Sequence, residues 1–263
     1  GVNICNKLID QFNASGLETA GEAIAELRAL RALYYFWLID IFGNVPIVDK
    51  YDVPADYKPP THTRQEVYDF IEGDLILGRT DDDGNEWEAV LPLLSKETGL
   101  AMYSRINYYA AYTILAKLYL NAEEYTGTPQ YVKALAACDT VFNSDKFSLE
   151  PGFFNNFEAD ATSSSEHILG VPFDQVYAAE FEIHLFTLHY SLQDQFKLQS
   201  ATWNGICAQE DFFNSFEEND TRRNGLLHGE QYDEEGNQIE DPGYEKFQPG
   251  QVFDPDGPGL DLT

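Results

Sequence analysis

The stretch AELRALRALYYFWLIDIFGNVPIV, residues 25–48, constrains the fold more than any other part of this chain. It contains no helix breaker before Gly43-Asn44, and Pro46 then forbids continuation. Apolar side chains crowd nearly every side of this helix, as expected for a helix enclosed by others. Leu27, Leu30, Tyr34, Trp37, Leu38 and Ile41 recur at steps of three and four and are expected to form the core stripe. Tyr35 and Phe36 are then expected against a neighbouring element. Arg28 and Arg31 need carboxylates from elsewhere in the fold, because Asp40 lies too far along the same helix from Arg31.

Helical periodicity recurs on both sides. Asn3 to Phe12 predicts an amphipathic helix closed by the turn at residues 13–16. Residues 49–62, with Pro54, Pro59 and Pro60, read as loop. Thr63 and Glu66 form the T-x-x-E capping box of a helix running through Val67, Phe70, Ile71, Asp74 and Leu75. RTDDDGNEWEAVLP, residues 79–92, reads as another loop, and helices are expected from Tyr103 to Glu124 and from Tyr131 to Phe142. In the first of these, Tyr112, Leu115, Ala116 and Tyr119 fit the W-x2-L-G-x2-Y register of a tetratricopeptide first helix, with Tyr for Trp and Ala for Gly. Ala134 and Cys138 take the small positions of the second helix, where Cys138 is expected as a buried, small hydrophobe. After Asp145 the chain turns to short apolar runs rich in Phe, Tyr, Ser and Asn, and YDEEGNQIE, residues 232–240, reads as a hairpin. The expected fold is mainly α. A tetratricopeptide-like helical-repeat scaffold covers 1–145, and a loop-rich, short-helix, ligand-binding portion covers 146–263 of the same structural unit.

Charge narrows the function classes. A net charge of -29 leaves no basic surface for phosphates, which excludes nucleic acid as a partner and disfavours an anionic membrane surface. It permits divalent cations, neutral ligands such as sugars, and basic partners. Cys5, Cys138 and Cys207 give neither a disulfide framework nor zinc spacing. TDDDGNE and FDPDGPGLD resemble calcium loops, but Arg79 and Val252 stand where the first acid belongs. They read as solvated acidic loops; no cofactor is expected, and a calcium ion bridging separate loops stays open. The histidines at 62, 167, 184, 189 and 228 lack ligand spacing, and no hydrolase, zincin or nucleotide-binding motif is present. A glycosidase needs two flanking carboxylates, and a chain with 45 acidic residues supplies such a pair by chance. A glycoside hydrolase therefore remains the enzymatic alternative, and a tetratricopeptide adaptor binding peptides the other, while the expectation is binding without catalysis.

Aromatic residues carry the positive signal. Trp87 and Trp203 sit in polar, loop-like contexts, GNEWE and SATWNGICAQ, where an indole stays uncovered unless the loop folds back or a ligand covers it. Both outcomes stay open for each ring. Trp203 beside Asn204 would put a stacking platform next to an amide able to bind vicinal hydroxyls. The candidate ligand residues are Trp203, Tyr177, Tyr190 and Trp87 for stacking, and Asn204, Gln175 and Asp211 for hydrogen bonds.

Several stretches together resemble the SusD/RagB family of nutrient-binding outer-membrane lipoproteins. The stretch quoted first resembles the family's E-A-R-F-L-R-A-x-Y-Y-F … F-G-D-V-P segment, with Asn44 in place of Asp. TRQEVYDFIEGDL resembles its next helix, and YSRINYYAAYTILAKLYLNAEEYTG its G-R-x-x-K-x-A-A-x-A-L-L-A-R-x-Y-L segment, with Ser104 for Gly and Asn107 for Lys. WNGICAQEDFFNSFEENDTRR resembles a later region ending in D-x-R, here Asp220-Thr221-Arg222. The resemblance implies an internal fragment of a lipid-anchored, cell-surface protein of Bacteroidetes-type bacteria. Such proteins bind oligosaccharides or polysaccharides and deliver them to a SusC-type TonB-dependent transporter without enzymatic action.

Overall fold

In the computed structural model the opening helix α1 (Val2–Ser15) ends at Gly16, whose φ of 66° provides the left-handed cap. The long helix α2 (Ala20–Phe42) stops where expected, with the Gly43 N–H bonded to the Ile39 carbonyl. The structure describes residues 1–227 and 237, except 82, 159, 161, 174, 175, 177, 179, 180 and 194; apart from residue 237, the expected hairpin at 232–240 lies outside the described residues. β1 (Val45–Pro46) pairs antiparallel with β2 (Thr61–His62). α3 (Arg64–Glu72) opens with the capping box read from the sequence, Thr63 and Glu66 bonding each other's backbone N–H. It continues into a wider π turn at Gly73–Leu77. The stretch expected as loop after it holds a short antiparallel hairpin, β3 (Arg79–Thr80) with β4 (Glu86–Trp87).

The predicted helix from Tyr103 to Glu124 is in fact shorter and divided. Asn107 sets its start, its side chain accepting from the Ala110 N–H at 2.9 Å as an N-cap, and Asn121 separates α4 (Tyr108–Leu120) from α5 (Ala122–Thr126). α6 (Tyr131–Phe142) has the predicted bounds. Two short helices, α7 (Ile183–Thr187) and α8 (Glu210–Asn214), follow in the later part. The chain divides into two compact units, residues 1–151 with 155–171, and residues 152–154 with 172–263. Residues 146–151 and 155–171, read above as part of the loop-rich portion, lie with the first unit.

In the first unit α1 packs on α2, α2 on α3, and α4 on α6, the paired-helix arrangement of a mainly α, tetratricopeptide-like scaffold. The buried face of α2 differs from the expected one. Ala25, Ala29, Ala32, Tyr35, Phe36 and Ile39 are buried, whereas Trp37 and Ile41 are 44% and 69% exposed. Leu30 and Leu38 of the expected stripe pack against the core, but Arg28 and Arg31, which were not counted in that stripe, are buried on the same side as the alanines. Cys138 is exposed, not buried; Ala134 and Ala137 are the small residues at which α6 meets its neighbours.

The buried arginines converge on Asp74, which is fully enclosed within the π turn. Its Oδ1 accepts from Arg28 Nη2 at 2.7 Å and Arg79 Nε at 2.8 Å, and its Oδ2 from Arg31 Nη2 at 2.8 Å. Arg31 also reaches Asn6 of α1, Arg28 the Glu88 carbonyl, and Arg79 the Asp49 carboxylate. The Phe70 ring lies 4.4 Å from the Arg79 guanidinium carbon, adding a cation–π contact. Outside this centre, Glu72 on α3 accepts from Tyr119 of α4 and Lys133 of α6, and Tyr125 of α5 donates to Asp40 of α2.

Replacing Asp74 by Ala leaves three arginines without their shared carboxylate and should cost about 3–5 kcal/mol, the usual penalty for breaking a buried ion pair. Urea unfolding of Asp74→Ala against the parent chain measures it. Burial alone would raise the Asp74 carboxyl, but Arg31, Arg28 and Arg79 outweigh it and hold the group well below the ordinary carboxylate range. A depressed folded-state value means that this contribution is complete above the unfolded value of about 3.9 and is lost as pH falls below it. The urea midpoint should therefore drop on acidification below about pH 4, and by less in Asp74→Asn than in the parent.

Candidate functional site

The two loop-borne tryptophans lie in different units and in different surroundings. Trp87, on β4 of the first unit, is half-buried; its Nε1 donates to Asp81 Oδ2 at 3.0 Å. The Arg28 and Arg79 guanidinium carbons lie 5.1 Å and 5.5 Å from its ring centroid. The indole thus forms part of the wall around the Asp74 centre. Asp81 also accepts from Asn85 and from the Asp83 N–H, so the acidic TDDDGNE loop is organised by its own donors. The hydrogen bonds from Trp87 and Asn85 hold the Asp81 carboxyl far below its ordinary value.

Trp203 belongs to the second unit and is held differently. Its N–H donates to the Leu185 carbonyl at 2.7 Å, the Asn204 N–H to Leu188 at 3.0 Å, and the Gly205 and Ile206 N–H groups both to Phe186. Thr202 Oγ1 donates to the His189 carbonyl at 2.5 Å. This ladder lashes residues 202–206 to α7 and the segment after it without any regular strand. Asn204 adopts a left-handed φ of 46°, a conformation that asparagine tolerates better than most residues. The Phe186 ring meets the Trp203 indole edge-on, with centroids 4.6 Å apart and planes at 86°. The indole remains 39% exposed.

The ladder holds Trp203 and Asn204 on the α7 segment, and Thr202 bonds the residue before Tyr190. Tyr190 follows His189, the acceptor for Thr202, and is 63% exposed. The Asn204 amide has no hydrogen-bond partner among the described residues. Asp211 is exposed on α8, which packs through Phe213 against Ala208 and Leu226. Tyr177 and Gln175 lie outside the described residues. The Asp220-Thr221-Arg222 motif forms a local clasp, Arg222 Nε donating to Asp220 Oδ1 at 2.9 Å.

An open cleft of roughly 730 Å³ adjoins the ladder, sharing α7 with it. Phe173 and Phe181 (centroids 5.2 Å apart), His184, Lys197 and Gln199 line it. His184 stacks on Phe181 at 6.0 Å. Sequence reasoning passed over this group because only the fold brings residue 173 beside 181 and 197; the aromatic run FEIHLFTLHY was its one visible trace. Aromatic rings flanked by amide, ammonium and imidazole groups can stack on an apolar ligand face and hydrogen-bond its edge. Among the described residues no three His, Cys, Asp or Glu side chains gather as a metal site, and no helix is long and apolar enough to cross a membrane.

Residues 1–120 match the SusD-like family described as "Starch-binding associating with outer membrane". The starch-binding protein SusD of Bacteroides thetaiotaomicron is 33% identical over 138 residues, 52% of this chain and 22% of SusD. Among solved structures, surface glycan-binding protein A from Bacteroides uniformis superposes with a TM-score of 0.69 at 22% identity, covering 89% of this chain and 48% of that one. Surface glycan-binding protein A from Bacteroides thetaiotaomicron, solved in complex with laminarihexaose, gives a TM-score of 0.63 at 21% identity, covering 84% of this chain and 45% of that one. The fold is therefore that of the SusD-like proteins, and the chain spans about half the length of these solved relatives and less of the curated one.

Gly205 tests how tightly the platform is built. A Cβ there would meet Phe186 Cδ1 at 3.1 Å, so Gly205→Val must displace the ring that supports Trp203. Overpacking of this kind should cost about 1–3 kcal/mol. The near-ultraviolet circular dichroism of the variant should change with the Trp203–Phe186 geometry.

Proposed function

We propose, from the match of residues 1–120 to the SusD-like family, that the chain is part of a cell-surface glycan-binding protein that passes oligosaccharides or polysaccharides to a SusC-type TonB-dependent transporter. The observation that carries the reading is the Trp203 ring, fixed from the backbone and from Phe186 yet more than one-third uncovered. A rigid, exposed indole provides a flat apolar surface for a pyranose face at little cost in side-chain entropy. Asn204 stands next to it in the chain with an uncommitted amide, and Tyr190 adds a second exposed ring. Trp87, Tyr177, Gln175 and Asp211 have secondary places in this reading, Trp87 the least, since its ring already covers arginines.

Two relatives support the ligand class, one described as starch-binding and one solved with laminarihexaose. The family description supports an outer-membrane location. The transporter partnership and the lipid anchor are what SusD-like membership implies for the whole protein. Recognition by stacking involves no bond cleavage, and the reading is of a non-enzymatic binder with modest affinity, about 10⁻³ to 10⁻⁶ M.

Native gels cast with a panel of soluble polysaccharides test it. Retardation by at least one glycan, with no shortened chains afterwards, is the expected result. Trp203→Ala should weaken that binding about tenfold or more, as removal of a central aromatic anchor does. Unchanged retardation in Trp203→Ala would move the site elsewhere, and new reducing ends would make the protein a hydrolase.

A further inference from the structure

The first unit has a cleft of its own, about 360 Å³, between the turn at residues 98–107 and the segments 146–147 and 162–170. That volume suits one sugar ring or another molecule of similar size. Its lining is unlike the rest of the chain. Acidic residues make up 45 of 263 positions, yet none of the sixteen lining residues is Asp or Glu. Lys146 and His167 are the basic groups there, and the Tyr103 and Phe147 rings stand among serine and threonine hydroxyls.

Three acids close to the serine-rich part of the lining are engaged elsewhere, whereas Glu97 and Asp145, next in sequence to Thr98 and Lys146, make no side-chain hydrogen bond or ion pair among the described residues. Glu150 accepts from the Ser165 hydroxyl and N–H, Glu166 from Asn156 and the Glu150 N–H, and Asp160 from Thr162. The remaining donors are uncommitted: the Lys146 ammonium and the Tyr103, Ser104 and Ser163 hydroxyls make no hydrogen bond or ion pair among the described residues. The serine run at 163–165 is anchored by its own bonds. Glu150 and Ser148 both bond Ser165, and Asn156 accepts from Ser164, so residues 163–165 are pinned in place. Tyr103 packs over Gly170, where a Cβ would already lie 3.4 Å from the ring.

We propose that this cleft is a second binding site, separate from the Trp203 platform, for a small polyhydroxylated anion, a hexuronate being the simplest example. The uncommitted Lys146 ammonium favours a carboxylate, hydroxyls and a tyrosine suit a ring bearing several OH groups, and a lining without Asp or Glu lessens the repulsion that a strongly acidic chain exerts. A neutral sugar would leave the ammonium without a counter-charge.

Titration of the whole chain with D-glucuronate, D-glucose and acetate, followed by NMR chemical-shift changes, tests the site. Glucuronate is expected to bind in the millimolar range, with glucose and acetate each at least fivefold weaker. Lys146→Gln should weaken glucuronate at least fivefold, and Ser163→Glu, which places a carboxylate on the exposed rim, should abolish it; both positions are exposed, so folding is spared. Trp203→Ala should leave glucuronate binding unchanged, which separates this site from the platform. Equal binding of glucose would overturn the charge recognition, and equal binding of acetate the sugar recognition. Absence of glucuronate binding at about 50 mM, or indifference to Lys146→Gln, would remove the site altogether.

Discussion

A single carboxylate organises the first unit. Asp74 is enclosed on all sides and takes three guanidinium groups, which come from two positions on α2 and one on β3. Arg31 extends the connection to Asn6 on α1, and Asn6 in turn donates to the Val48 and Lys50 carbonyls. Four parts of the chain are therefore placed by reference to one side chain. A buried ion cluster of this kind contributes little net stability beyond what well-packed apolar residues would supply. Its contribution here is geometric, because a carboxylate with two oxygens and three planar donors accepts few alternative arrangements. The π turn is part of that geometry, since it carries Asp74 inward while its carbonyl accepts from the Val90 N–H.

The sequence made the first unit legible wherever a local rule determined the outcome. The capping box at Thr63, the stop at Gly43 and the bounds of α6 depend on neighbours in the chain, and they were found where expected. The stripe of α2 was misread because local rules expose arginine, and only the distant Asp74 makes its burial tolerable. Cys138 was misread for a related reason: a one-residue shift, from 138 to 137, turns a helical position through about 100°. The need for tertiary carboxylates beside Arg28 and Arg31 could be inferred from the sequence, whereas the identity of the carboxylate could not.

The second unit was less legible, and its backbone shows why. The segments 185–189 and 202–206 are joined by main-chain hydrogen bonds without alternation, periodicity or a tight turn between them. Nothing in the residue types at those positions announces such a pairing. Trp203 and Asn204 stood out only as an indole and an amide in a polar context, and the ring beneath, Phe186, gave no sign of its role. Lys197, Phe173 and Phe181 meet through the fold alone.

The ladder under Trp203 has a consequence for how such a site can change over generations. Among the described residues, the hydrogen bonds that hold residues 203–206 are donated by main-chain N–H groups, so the one that holds position 203 needs no particular side chain there. The indole is thus mounted on a support that does not depend on its identity. Exchange of that one side chain for tyrosine, histidine or a small polar residue would alter what the surface recognises while the support persists. A surface built this way can change by single substitutions, without rebuilding its scaffold.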